Sequence, residues 1–243
     1  MNLVIDIGNS QAKVAVFDGR EILYSISQSM LEPDAVRELL KKYPLEKAIL
    51  SAVRDPGREL VSFLGEQLSY FLRLDAATPL PFENLYKTTG TLGMDRLAAA
   101  AGAGELYPGE NVLFLDMGSA VTIDLLNNRN QFMGGNISPG LRMRFSALNH
   151  FTSGLPLVEP GKADDFPGQT TAGAIRAGVI SGIVFELDGY INLLSMRYTN
   201  LKVVATGGDA DFFVKKLKNH IFVDSNLVLR GLNRILAHNE KLR

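Results

Sequence analysis

Two aspartates stand at the ends of short apolar runs, each followed by a glycine and a hydroxyl. Asp6 closes Leu3-Val4-Ile5 and leads into Ile7, Gly8, Asn9 and Ser10. Asp116 closes Val112-Leu113-Phe114-Leu115 and leads into Met117, Gly118, Ser119 and Ala120. Glycine after a strand leaves backbone N–H groups open to phosphate oxygens, because no Cβ blocks their approach. In the first loop those amides, the Ser10 hydroxyl and Lys13 on the next strand can hold a triphosphate. Asp6 would repel phosphate directly but can hold a hydrated divalent cation that touches it. The same residues also suit an ordinary β-turn in which the aspartate bonds its own backbone. The second loop repeats the set with Asp116, Gly118, Ser119 and Thr122, its aspartate 110 positions after the first (116 minus 6). Two phosphate-gripping hairpins facing across a cleft are what a nucleoside triphosphate bound between two domains requires.

Two weaker groups accompany them. Gly207-Gly208 follow the apolar run Val203–Thr206 and precede a helical pattern. Amides at a helix start favour a polar ligand, and paired glycines let a base or ribose lie on the chain, although glycines at a strand-to-helix junction also make a plain turn. Gly93-Met94-Asp95-Arg96 opens an alanine-rich helix. Asp95 and Arg96 suit a surface ion pair or the electrostatics of a helix N-terminus. They equally suit a base that accepts a proton from a substrate hydroxyl beside a fork that grips a substrate carboxylate. His150, His220 and His238 lack metal-ligand spacing, and no nucleophile elbow supports Ser-His-Asp chemistry.

The elements that must carry these residues follow from periodicity and punctuation. Strands are expected at 2–7, 11–18 and 21–27, with Asp18-Gly19 as a hairpin turn, then a helix at 34–43 behind Pro33. A strand at 46–53, a helix at 57–69 and a strand at 70–75 complete the first group, and a helix at 92–106 follows. The three-strand opening then returns at 111–117, 120–126 and 130–138. Helices at 139–150, 170–197 and 209–219, strands at 201–206 and 221–223, and a helix from about 225 close the chain. The expected fold is α/β: two similar domains, 1–107 and 108–243, with an ATP cleft between them.

Bulk properties narrow the class. The 243 residues are 46% hydrophobic and 21% charged, enough for a sizeable core. A formal net charge of -1 gives no electrostatic reason to expect nucleic acid or an anionic membrane as partner. The lack of cysteine suits a reducing compartment and removes thiolate chemistry. No secretory signal precedes the first strand, and apolar stretches look broken by charge or glycine before eighteen residues, so a cytoplasmic protein without a membrane span is expected.

Taken in order, Asp6-Ile-Gly-Asn-Ser, Gly93-Met-Asp-Arg96, Asp116-Met-Gly-Ser-Ala, Gly135-Asn-Ile-Ser-Pro-Gly140 and Thr206-Gly-Gly208 give a pattern that resembles the type III pantothenate kinases. These belong to the superfamily of acetate kinase, sugar kinases, actin and the heat-shock ATPases, whose domains are actin-like (ribonuclease H-like). The resemblance implies transfer of the ATP γ-phosphate to the terminal hydroxyl of pantothenate, the first step towards coenzyme A. It implies that Asp6, Gly8, Asn9, Ser10 and Lys13, with Ser119, Gly207 and Gly208, bind ATP with Mg²⁺, and that Asp95 is the general base. Tyr86, Gly93, Met94, Asp95 and Arg96 match the pantothenate site, and Asp116 matches the ligand of a monovalent cation, K⁺ or NH₄⁺. Thr171 matches a threonine that reaches pantothenate from the neighbouring subunit, which implies a homodimer with the substrate site at its interface. Ser10 and Ser119 replace the usual threonines and keep the hydroxyl, while Thr170 stands where an asparagine is usual. The rival readings are a kinase for a sugar or short carboxylic acid, and a nucleotide-binding regulator that keeps the fold without the transfer.

Overall fold

The computed structural model describes residues 1–161 and 166–243. They form two compact units, one of Met1–Gly109, Arg129–Met133 and Asn226–Arg243, the other of Glu110–Asn128 and Gly134–Ser225.

The first unit opens with β1 (Asn2–Ile7), β2 (Ala12–Asp18) and β3 (Glu21–Gln28). Next come α1 (Pro33–Lys42), β4 (Lys47–Ala52), α2 (Arg58–Gln67) and β5 (Tyr70–Arg73). The sheet order is β3-β2-β1-β4-β5. The first three strands run antiparallel to their neighbours, while β4 and β5 are parallel to β1. Central position explains the composition of β1, where Leu3, Val4 and Ile5 are all buried because both faces are covered. Leu3 and Ile5 pack with Val36 of α1 and with Leu60 and Leu64 of α2. A short strand β6 (Glu83–Asn84), a 3₁₀ turn at Thr89–Thr91 and helix α3 (Met94–Leu106) follow.

The C-terminal helix α7 (Leu227–Glu240) belongs to this first unit, whereas the simple split expected from the sequence put it with the second half. Close packing on α3 is the reason. A Cβ on Gly231 would lie 1.6 Å from the Ala98 carbonyl oxygen, and one on Gly102 would lie 2.3 Å from that of Leu227. Small side chains on α3 thus let two backbones touch, and Asn233 adds bonds with Asn2 (2.9 Å) and the Gly19 carbonyl (2.8 Å).

The second unit holds β7 (Val112–Met117), β8 (Ala120–Leu126), β9 (Gln131–Pro139), α4 (Leu141–Phe151) and α5 (Thr171–Ser195). It ends with β10 (Lys202–Thr206), α6 (Ala210–Val214) and β11 (Phe222–Val223). Its strand order, β9-β8-β7-β10-β11, repeats that of the first unit, again with an antiparallel start and two parallel strands after it. Strand β9 begins in the first unit, where Gln131 and Phe132 pair with Glu83 and Asn84 of β6. Helix α6 stops at Val214 rather than continuing to 219, because the N–H groups of Lys216 and Leu217 turn back onto the Phe213 carbonyl. By length and composition α5 could cross a membrane, contrary to the expectation that no stretch would. Its Ile175, Val179, Ile183, Leu187 and Ile191 instead fill the core of the unit with Leu113, Phe145 and Phe213.

Candidate active site

Strand register builds the first station. Asp6, one residue before the end of β1, stands opposite Lys13 of β2 and Ser51 of β4. Neighbouring residues in register share a face of the sheet, so a lysine, a carboxylate and a hydroxyl form a row across three strands. Ser51 is fully buried. The loop beyond β1 closes with Gly8 N–H donating to the Gln11 carbonyl at 2.9 Å, which leaves Asn9 and Ser10 exposed at its tip. Burial pushes the Asp6 carboxyl up to about 6, with the Asp95 charge adding to it, while Ser51 and Lys13 pull the other way. Asp6, Lys13, Ser51 and Asp95 therefore share one electrostatic neighbourhood, so the structure brings together two acids that the sequence separates by a whole sheet.

Asp95 sits in the first turn of α3, and its Oδ1 accepts from the Arg96 N–H at 2.9 Å. The carboxylate folds back over Gly93, where a Cβ would lie only 2.3 Å from Oδ1. Any larger residue at 93 must displace it. Arg96 is only 5% exposed, and its guanidinium lies 5.3 Å from the centre of the Tyr86 ring and 5.9 Å from that of Phe132. The Tyr86 and Phe132 rings are 6.2 Å apart. Arg96 and Tyr86 were both expected on substrate; Phe132 was not. It reaches Tyr86 through the β6–β9 pairing, and a two-residue strand carries no periodic signal in the sequence.

The second station repeats the register. Asp116 of β7 stands opposite Thr122 of β8 and Thr206 of β10, as Asp6 stands opposite Lys13 and Ser51. Its turn is one residue shorter, with Gly118 N–H donating to the Ala120 carbonyl at 3.1 Å. Gly207, at φ +94°, backs it closely: a Cβ there would lie 2.5 Å from both Asp116 Oδ1 and the Met117 carbonyl oxygen. On another side Gly140 backs the Gly118 and Ser119 carbonyls, with a Cβ expected 2.5 and 2.4 Å from their oxygens. Gly140 had been read only as part of a motif. Gly208 is exposed with open space around it, and the Asp209 N–H reaches the Met117 carbonyl at 3.0 Å. Burial raises the Asp209 carboxyl above its ordinary value, with Arg142 opposing.

Thr171 is exposed at the first position of α5, after Thr170, whose hydroxyl caps the helix by accepting from Gly173 N–H at 3.0 Å. Thr171 lines an open apolar groove of 910 Å³ with Leu148, Phe151, Leu155, Ala174 and Ile175. Phe151 is 81% exposed there. Among the described residues no three His, Cys, Asp or Glu side chains converge on a metal position.

A family model described as type III pantothenate kinase matches residues 2–193. A protein of Phocaeicola vulgatus with that name is 48% identical over 242 residues, covering the whole of both chains. A solved structure from Campylobacter jejuni, described as belonging to the Baf family of transcriptional activators, is 26% identical with a TM-score of 0.62, covering 98% of this chain and 99% of that one. A ROK family protein from Streptococcus pneumoniae, solved with sucrose, covers 100% of this chain and 99% of its own at 14% identity and a TM-score of 0.51, which shows a common actin-like fold.

Proposed function

The chain belongs to the type III pantothenate kinase family, and we propose that it transfers the γ-phosphoryl group of ATP to the terminal hydroxyl of pantothenate in the cytoplasm. The observation that carries this reading is Asp95 next to a buried Arg96 whose guanidinium lies against Tyr86, on a chain matched end to end by a relative of that name. Arg96 supplies a planar fork suited to the pantothenate carboxylate, and the flanking rings fix the direction in which it points. Gly93 and Met94 line the same site, and Asp95 acts as the general base. It orients the hydroxyl and takes its proton as the oxygen bonds to the γ-phosphorus and ADP leaves.

Asp6, Gly8, Asn9, Ser10 and Lys13 hold the ATP phosphates, and Ser119, Gly207 and Gly208 are further ATP-binding residues. The donor set fits Mg²⁺. Asp6 offers a single carboxylate beside a buried hydroxyl, which suits an ion that keeps its waters and is completed by phosphates. When bound, Mg²⁺ would neutralise phosphate charge. Asp116, packed against Gly207 and Gly118, holds the monovalent cation, K⁺ or NH₄⁺. The exposed groove beside Thr171 supports a homodimer in which that threonine reaches the partner's pantothenate.

A coupled assay with pantothenate, ATP, Mg²⁺ and KCl tests the transfer. ADP formation should require all four, and a panel of sugars and short carboxylic acids should give none. Turnover with a panel member instead would favour the related-kinase reading. Tight nucleotide binding without any turnover would favour a regulator.

A further inference from the structure

Ser51 Oγ is buried and completes no well-formed hydrogen bond among the described residues, yet it lies near enough to the Asp6 carboxyl to favour its ionised form. Buried hydroxyls are normally satisfied, so one held without a well-formed bond calls for an explanation. The fold itself gives none. Ser51 lies in β4 between Leu50 and Ala52, both apolar, where alanine would complete the strand equally well. Its register is the informative point, since it stands beside Asp6 on the shared face of β1 and β4. In the second unit Thr206 stands beside Asp116 in the same register. Each half of the molecule therefore sets a buried hydroxyl next to its strand-end carboxylate.

We infer that Ser51 is a positioning residue of the kinase: with nucleotide bound, its O–H donates to the Asp6 carboxylate and fixes which oxygen faces the divalent cation. The inference rests on the reading that Asp6 serves the Mg²⁺–nucleotide complex. A hydrogen bond to a charged acceptor both orients it and favours its ionised form. Ser51 itself touches neither substrate nor phosphate.

The test uses the full chain with Ser51→Ala, Ser51→Thr and Asp6→Asn. Calorimetry reads the affinity for a non-hydrolysable ATP analogue with and without Mg²⁺, and Mn²⁺ binding in the presence of that analogue is followed by electron paramagnetic resonance. Ser51→Ala should melt as the parent does and bind the analogue about tenfold more weakly, only when the metal is present. Mn²⁺ affinity should fall to the same degree, and KM for MgATP should rise more than kcat falls. Ser51→Thr, which keeps the hydroxyl as Thr206 does in the other unit, should stay close to the parent. Unchanged metal-dependent affinity in Ser51→Ala, beside a clear loss in Asp6→Asn, overturns the role of Ser51 alone. So does a Thr variant that folds yet is as weak as the Ala variant. Parent-like metal dependence in Asp6→Asn removes the underlying reading of Asp6 instead.

Discussion

Asp6 and Asp116 occupy the same station of the same five-strand topology, yet the molecule equips the two stations differently. Beside Asp6 stand Lys13 and Ser51; beside Asp116 stand Thr122 and Thr206. The Asp6 loop is one residue longer and exposes its tip, with only the Gln11 carbonyl, 3.3 Å away, near a Cβ on Gly8. The Asp116 turn is shorter and wedged between Gly207 and Gly140, with backbone oxygens filling the space a Cβ on either would need. Both strand ends carry a carboxylate in the same register. The first has the Lys13 cation and a nearby second acid, Asp95, and the second has a tight backing of main chain. The first arrangement suits moving a proton and a phosphoryl group; the second suits holding something still.

The largest effect expected from this contrast concerns turnover. Asp95→Asn keeps size and the Arg96 N–H contact but cannot take a proton, so kcat should drop by about 10²- to 10⁴-fold with folding and ATP affinity retained. Circular dichroism, nucleotide calorimetry and the coupled assay together check this. Asp116→Ala in the other station should leave only a residual activity that no longer responds to K⁺. An active, well-folded Asp95→Asn variant removes the base assignment, and unchanged K⁺ activation in Asp116→Ala removes the cation assignment.

The next effect concerns stability and compares two glycines. Gly207→Ala forces a Cβ into the Asp116 carboxylate and the Met117 carbonyl, at a φ of +94° that side chains rarely adopt. Backbone strain alone should cost about 1–3 kcal/mol, so thermal unfolding should move down by several degrees. Gly8→Ala meets a single carbonyl at 3.3 Å and needs only a small shift of an exposed loop, so its melting temperature should stay near that of the parent. Its effect belongs in KM for ATP instead. Equal destabilisation of the two variants would mean that the stations are built alike.

Much of this contrast was legible in the sequence. The repeated Asp-x-Gly turns, the succession of strands and helices along the chain and the helix starts follow from local composition, through apolar runs and their glycine and proline breaks. Tyr86 and Arg96, both placed in the substrate site by the family resemblance, lie together, the guanidinium 5.3 Å from the ring centre. What escaped depends on contacts between distant segments. Phe132 stacks through a two-residue strand, Ser51 looks like one more position of an apolar strand, and the return of α7 rests on Gly231 meeting Ala98. Ser51 could have been found by laying KAILSA over KVVAT, where its hydroxyl coincides with that of Thr206. The location of α7 could not, because a glycine that fits a helix crossing looks the same in sequence as one that merely tolerates exposure.

The smallest effect, and the one that separates the stations by charge alone, lies in how stability varies with pH. Burial first, then the Asp95 charge, raises the Asp6 carboxyl from 3.8 to about 6 against the pull of Ser51 and Lys13. The folded protein thus holds this proton more tightly than the unfolded chain does. The stability that the protonated carboxyl contributes is fully present below pH 3.8 and is lost as pH rises through about 6. Above that, an ionised Asp6 costs on the order of 1–3 kcal/mol, from a difference of about two pKa units. Asp6→Asn removes the cost. Without nucleotide or metal, the variant should melt above the parent at pH 8, and the gap should narrow as pH falls through about 6 and close near 3.8. Melting curves across that range check it; a gap independent of pH would show that Asp6 ionises as an exposed carboxylate does. The sign also bears on catalysis, since a carboxylate that destabilises the empty fold at neutral pH is one that a bound cation relieves. Binding Mg²⁺ with nucleotide should therefore raise the parent's melting temperature more than that of Asp6→Asn.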